Sequence, residues 1–152
     1  MIPGKVQKVL DTYGLKAIEF EEGSTPTALT AAEKLGVAVG NIAKSLLFIG
    51  KDGRYAMVVC PGDRRVSNAK LKQVLGVKTR MAGPEEVTRL TGFPPGGVCP
   101  FGVTGVEILL DQHLGSFETI YPAAGTDSSG VPMSFETLKA VTGGGVFDLT
   151  TE

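Results

Sequence analysis

Two apolar runs joined by a glycine-bounded turn constrain this chain more than any other feature. Residues 41–49 read NIAKSLLFI and residues 54–60 read RYAMVVC, with Gly50-Lys51-Asp52-Gly53 between them. Such runs, separated by a short polar turn, predict a β-hairpin. Because side chains alternate along a strand, Lys44, Leu46 and Phe48 share one face of the first strand. Ala43, Ser45, Leu47 and Ile49 take the other. The only breaks in the first run are Lys44 and Ser45, so a lysine enters a segment otherwise built for burial.

The flanking sequence alternates short helices with short strands. Val6, Leu10 and Tyr13, with Val9 beside them, predict a helix over 3–13 that stops at Gly14. Ala17 to Phe20 reads as a short strand. Ser24 or Thr25 is suited to cap the next helix, with Pro26 in its first turn, Ala28, Leu29, Ala32 and Leu35 on its apolar stripe and Gly36 as its end. Ser67 caps a helix over 68–75 closed by Gly76, and a short strand follows over 77–80. Pro84, Glu85 and Glu86 open another helix that Gly92 ends. Residues 106–110 and 118–121 read as strands, Ser134 caps a helix over 135–141, and 146–149 form a terminal strand. Strict βαβ alternation is missing and no glycine-rich phosphate fingerprint follows a strand, which argues against Rossmann and P-loop folds. The pattern predicts an α+β fold over residues 1–152 as a single domain: one mixed, partly barrel-like β-sheet flanked by helices.

Composition narrows the function classes. Glycine supplies 21 of 152 residues, about twice the usual ~7%, without a three-residue period; many tight turns account for it. No apolar run approaches the ~18 residues of a membrane-spanning helix, and the N-terminus carries no apolar signal core, so the expected setting is cytoplasmic with no membrane partner. Cys60 and Cys99 cannot build a disulfide scaffold, and with a single histidine, His113, no metal-ligand spacing is legible. The net charge of −1 hides an asymmetry. Between Gly40 and Leu90 ten Lys and Arg face four acids, leaving that segment at +6 and the remainder at −7. A basic segment of this kind suits an anionic partner, although a solvated face would look the same.

Few residues stand out as carriers of chemistry. Lys44 is either a lysine whose stem packs while its head reaches water, or a fixed cation at a pocket mouth. Residues 93–105, FPPGGVCPFGVTG, hold three prolines and four glycines and exclude a regular helix. Within them, Gly96-Gly97-Val98-Cys99-Pro100-Phe101-Gly102 is either a surface loop or a backbone cradle for a small polar ligand. Asp111 ends the strand VEILLD and either faces the same pocket or caps a turn. Residues 124–128 form a second small-residue rim or a plain turn. His113 reads as a surface histidine without an adjacent acidic partner, and Cys60 as core. Cys99 lies in the glycine loop, but no base is placed near it for thiolate chemistry. An enzyme built from these parts works by positioning and backbone polarity rather than by a side-chain triad.

Taken in order, IAKSLLF (42–48), SNAKLKQVLG (67–76), LTGFPPGGVCPFG (90–102), EILLD (107–111) and YPAAG (121–125) resemble the YbaK/EbsC family. These are free-standing relatives of the editing domain of bacterial prolyl-tRNA synthetase, and the resemblance spans roughly residues 25–150. It implies a metal-free aminoacyl-tRNA deacylase with no cofactor. Its substrate would be a mischarged tRNA, such as alanine or cysteine on the proline tRNA. It implies that Lys44 holds the 3′-terminal nucleotide and that the backbone of Gly96, Gly97, Val98, Cys99 and Pro100 positions the aminoacyl group, with Phe101 beside it. Asp111 and Gly125 match further pocket positions. Water would be oriented by the backbone and by a hydroxyl of the terminal adenosine. The implied partners are the tRNA acceptor end and a prolyl-tRNA synthetase, for a monomer or a homodimer. The alternative is a non-catalytic module of the same fold that binds a nucleotide or an RNA end. Phe20, Thr30, Met57 and Phe101 are the candidates for the wall that selects the amino acid.

Overall fold

The computed structural model describes residues 1–152. In chain order its elements are α1 (Gly4–Thr12), β1 (Ile18–Glu19), α2 (Ala28–Leu35), β2 (Ala43–Gly50), β3 (Tyr55–Pro61), β4 (Arg65–Val66) and α3 (Asn68–Leu75). They continue with β5 (Thr79–Met81), α4 (Pro84–Thr91), β6 (Glu107–Asp111), β7 (Ser129–Gly130), α5 (Phe135–Thr142), β8 (Gly145–Phe147) and β9 (Thr150–Thr151). The hairpin forms as the sequence predicts: β2 and β3 pair antiparallel, with Lys44 opposite Cys60 and Phe48 opposite Ala56. It is the centre of a five-stranded sheet ordered β5-β2-β3-β6-β8. β6 joins β3 in parallel and β8 joins β6 in parallel, α5 supplying the crossover that parallel neighbours require. Two ribbons, β1 with β7 and β4 with β9, extend this mixed α+β architecture. No helix is long and apolar enough to cross a membrane.

The alternation of β2 and β3 divides the core in two. One face packs Ala43 and Val59 with Leu110, Phe93, Phe101, Ile120 and the α1 residues Val6 and Leu10. The opposite face packs Phe48, Val58 and Cys60 against Leu71 and Leu75 of α3 and against Leu149. Leu10, Leu71 and Leu110 are fully enclosed, so truncating any one of them to alanine costs about 2–5 kcal/mol.

Several expected boundaries move, each for a local reason. α2 starts after Thr27, not Ser24 or Thr25: the Thr27 hydroxyl accepts from Thr30 N–H while the Thr30 hydroxyl accepts from Thr27 N–H. Thr25 is instead spent on the neighbouring loop, its N–H and hydroxyl both donating to Asp127 C=O. Residues 118–121 do not form a strand; Ile120 and Tyr121 make only single bridges, to Met133 and Ile42, and Pro122 lacks the N–H that a longer ladder would use. The strand expected over 146–149 stops short: β8 ends at Phe147, and Asp148 and Leu149 lead into β9, which starts at Thr150. Tyr13 was expected on the buried stripe of α1 but is 47% exposed, because the helix has already ended at Thr12.

Candidate active site

The sheet has a gap in one edge, and a cavity fills it. The register sends the backbone groups of alternate β2 residues toward β3, as in Gly62 N–H to Ile42 C=O and Gly50 N–H to Arg54 C=O, both 2.8 Å. The odd-numbered residues point the other way. There Ala43 N–H donates to Tyr121 C=O at 3.2 Å, and Leu47 C=O accepts from Ala82 N–H at 2.9 Å. Between those two bonds no strand pairs with β2. The cavity beside this stretch, about 190 Å³, is lined by Lys44, Ser45 and Leu46 from β2, by Ala28, Ala31 and Leu35 from α2, and by Pro95, Gly96 and Val98 from the glycine-rich loop. Tyr121, Ala123, Ser129 and Gly130 close the remaining side. The capping box that starts α2 at Ala28 sets the turn on which Ala28, Ala31 and Leu35 face inward.

Lys44 is the only charged side chain in that lining. It takes part in no salt bridge, and its Nζ donates to one neutral acceptor, the Gly62 carbonyl, at 3.3 Å. A half-buried cation with a single long neutral bond is free to pair with an anion. Three other cations of residues 40–90 are already paired: Arg54, Lys70 and Arg80 with Asp52, Asp148 and Glu86. Asp52 and Glu86 are already counted in the charge of residues 40–90, so only the Lys70–Asp148 pair offsets any of that segment's basic excess.

The glycines of the 93–105 loop serve packing as much as access. A Cβ on Gly97 would lie 2.7 Å from the backbone N, Cα and C of Thr126, and one on Gly96 would lie 2.9 Å from Pro26 Cα. Only glycine lets these three backbones meet, and the meeting places the loop against the cavity. A short 3₁₀ turn at Pro95–Gly97 is the loop's only regular element.

The expected site residues separate into three groups. Lys44, Gly96 and Val98 line the cavity. Gly97, Cys99, Pro100 and Phe101 belong to the same loop but are buried behind it; Cys99 and Phe101 are core residues. Asp111 and Gly125 lie outside the lining. Gly125 adopts φ +87° against Phe93 and Pro3, a turn position that favours glycine. Asp111 is fully buried, and its carboxylate accepts from Leu149 N–H at 3.0 Å and from the Thr150 hydroxyl at 2.9 Å. His113, expected without an acidic partner, holds its Nδ1 3.1 Å from the same carboxylate. Asp111 thus fastens the C-terminal β9 segment. The four wall candidates, Phe20, Thr30, Met57 and Phe101, are likewise absent from the lining.

The lining also includes positions that carry no signal in the sequence. Ala28, Ala31, Ala123 and Gly130 are small residues without chemistry of their own, and only their convergence marks them. Ser45 is different: it is 8% exposed, and its Oγ is buried with no hydrogen-bond partner. The run NIAKSLLFI did expose it as a polar break beside Lys44. Neither thiol is placed for chemistry. Burial pushes both Cys60 and Cys99 up to about 12, and they sit in different core clusters. Asp111, His113 and Asp148 bring one ligand atom each within 4.8 Å of one another. The Asp111 oxygens are already engaged as described, however, and Asp148 pairs with Lys70 Nζ at 2.9 Å.

Comparison with known proteins places this geometry in context. A family model described as "Aminoacyl-tRNA editing domain" matches residues 22–141. The uncharacterized protein YwhH of Bacillus subtilis (strain 168) is 42% identical over 122 residues, covering 80% of this chain and 77% of YwhH. Proline–tRNA ligase of Thermosipho melanesiensis is 41% identical over 100 residues, 63% of this chain but only 18% of the ligase. The crystal structure of a candidate trans-editing enzyme for prolyl tRNA synthetase superposes with a TM-score of 0.88 at 37% identity, covering 97% of this chain and 96% of that one.

Proposed function

The chain belongs to the aminoacyl-tRNA editing domain family, and on that premise we propose that it hydrolyses the ester of mischarged aminoacyl-tRNA. The observation that carries this reading is the lone cation Lys44 lining one small cavity together with Gly96 and Val98 of the glycine-rich loop. The Lys44 ammonium holds a phosphate of the single-stranded acceptor end, a contact that supplies affinity without reading sequence. The aminoacyl ester enters between the β2 edge and the Pro95–Val98 side of the loop. Water adds to the ester carbonyl, the bond to the ribose oxygen breaks, and that oxygen leaves with a proton, giving free amino acid and uncharged tRNA. No metal is assigned to the step, because the lining offers no carboxylate, imidazole or thiol to ligate one.

The cavity volume of about 190 Å³ supports small aminoacyl groups such as alanyl or cysteinyl on the proline tRNA. Similarity to an 18% portion of a proline–tRNA ligase supports a prolyl-tRNA synthetase as the enzyme whose errors are removed. Such a substrate sets the work in the cytoplasm. A small cavity rejects larger groups by clash, whereas one missing methylene costs an active site only ~1–3 kcal/mol of discrimination. That weakness is why a hydrolytic second site is useful.

The test is a deacylation panel of Ala-, Cys- and Ser-charged proline tRNA with the parent and with Lys44→Ala. Hydrolysis of at least one substrate by the parent, lowered at least tenfold in the variant, is expected. Binding of the charged tRNAs with every ester left intact would favour a non-catalytic RNA-end module instead.

A further inference from the structure

The gap in the β2 edge is centred on Ser45. Ala43 N–H and Leu47 C=O are paired outward, to Tyr121 and Ala82. Ser45, midway between them, points its N–H and C=O to the same side by register. It forms none of the backbone bonds that lie outside the regular elements. Its hydroxyl is buried without a partner as well. Ser45, itself 8% exposed and part of the cavity lining, thus has a backbone N–H and C=O on the open strand edge and a buried hydroxyl, none with a protein partner. Buried backbone groups are almost always paired, and leaving them unpaired is costly. The only other side-chain oxygen in that state, Ser24 Oγ, belongs to a residue outside the cavity lining.

We propose that the aminoacyl group of the substrate docks on Ser45 as a one-residue continuation of the sheet. An aminoacyl ester has the donor and acceptor of a strand residue: an α-amino group and a carbonyl on either side of one carbon. The α-amino group donates to Ser45 C=O, and the ester carbonyl accepts from Ser45 N–H. This is strand addition reduced to a single residue. It recognises what all α-aminoacyl esters share, an unblocked amino group beside a carbonyl, and leaves the choice among them to the space between Ala31, Leu35 and Ala123. This inference rests on the deacylase reading and specifies which part of the substrate meets the β2 edge.

The experiment uses non-hydrolysable adenosines acylated through a 3′-amide: L-alanyl, N-acetyl-L-alanyl and propionyl, the last lacking the amino group. Binding is followed by amide NMR of the full chain. The L-alanyl compound is expected to shift the Ser45 amide resonance, and the other two to bind at least tenfold more weakly. Equal affinity for all three compounds, an unshifted Ser45 amide while other cavity resonances move, or no binding at millimolar concentration would each overturn the proposal. A Ser45 shift with the expected ranking in a protein that hydrolyses no charged tRNA would reject the deacylase and leave the docking mode standing. Hydrolysis with equal affinities would do the reverse.

Discussion

Lys44 and Ser45 are adjacent in the chain and point to opposite faces of β2, yet both line the same cavity. This is possible because the cavity wraps around an open strand edge rather than lying on one face of the sheet. A cation on one side and a set of unpaired polar groups on the other give the site two chemically distinct walls from two consecutive residues.

Lys44→Ala should separate activity from stability. The side chain makes one 3.3 Å bond to a neutral carbonyl, worth about 1 kcal/mol or less. Melting temperature should therefore stay near that of the parent, while deacylation falls at least tenfold, equivalent to about 1.4 kcal/mol of transition-state stabilisation. Binding of uncharged tRNA should also weaken, with a shallower dependence on salt. A melt and a rate measured on the same preparation check this.

Gly97→Ala should disturb the loop more than Gly143→Ala disturbs its turn, although Gly143 has the left-handed φ of +65°. At Gly97 the new methyl meets three backbone atoms of Thr126 at 2.7 Å, whereas at Gly143 nothing lies within 4 Å. Overpacking of this kind costs about 1–3 kcal/mol or more; strain at the positive-φ glycine costs about 1 kcal/mol. Urea midpoints of the two variants test the ranking.

Removing the Asp111 carboxylate should loosen the C-terminus. Asp111→Ala leaves Leu149 N–H, the Thr150 hydroxyl and the His113 ring without their shared acceptor. A loss of about 2–4 kcal/mol follows from the charged and buried character of these bonds. Hydrogen exchange should show Leu149 N–H losing protection first, ahead of the β2–β3 amides.

Acid should act on α4 through Glu86. Its carboxylate takes two bonds from Arg80 and one from Gly83 N–H; mainly through Arg80, these lower its pKa from 4.5 to about 2. A group whose folded pKa is depressed stabilises the fold above its unfolded value and loses that contribution as pH falls toward the folded one. The stability gap between the parent and Glu86→Gln should therefore be full at pH 7 and shrink between pH 4.5 and 2. Because the pair is solvent-exposed, high salt should narrow it at neutral pH. Paired melts across pH decide the matter.

The hairpin, the α3 and α4 boundaries and the absence of a nucleotide-binding fingerprint were legible in the chain itself, because each rests on local rules. Alternation set the faces of β2, Ser67 and Pro84 marked helix starts, and Gly76 and Gly92 marked their ends. Lys44 was legible as well, since a cation in an apolar run needs a reason wherever it occurs. The role of Asp111 was not: a carboxylate ending a strand looks the same whether it faces a pocket or catches the backbone 38 residues later at Leu149.

Nor could the chain alone show that Gly96 and Gly97 make room for Pro26 and Thr126, or that alanines on α2 meet Ala123 across a cavity. Least visible was the unpaired edge at Ser45, which depends on where Tyr121 stops pairing and Ala82 begins. The sequence by itself determined the β2–β3 hairpin, its faces and the isolated cation, because periodicity and turn chemistry act over a few residues. Tertiary structure alone decided which edge stays open and which small residues surround it, because pairing between distant segments is settled by the packing of the whole chain.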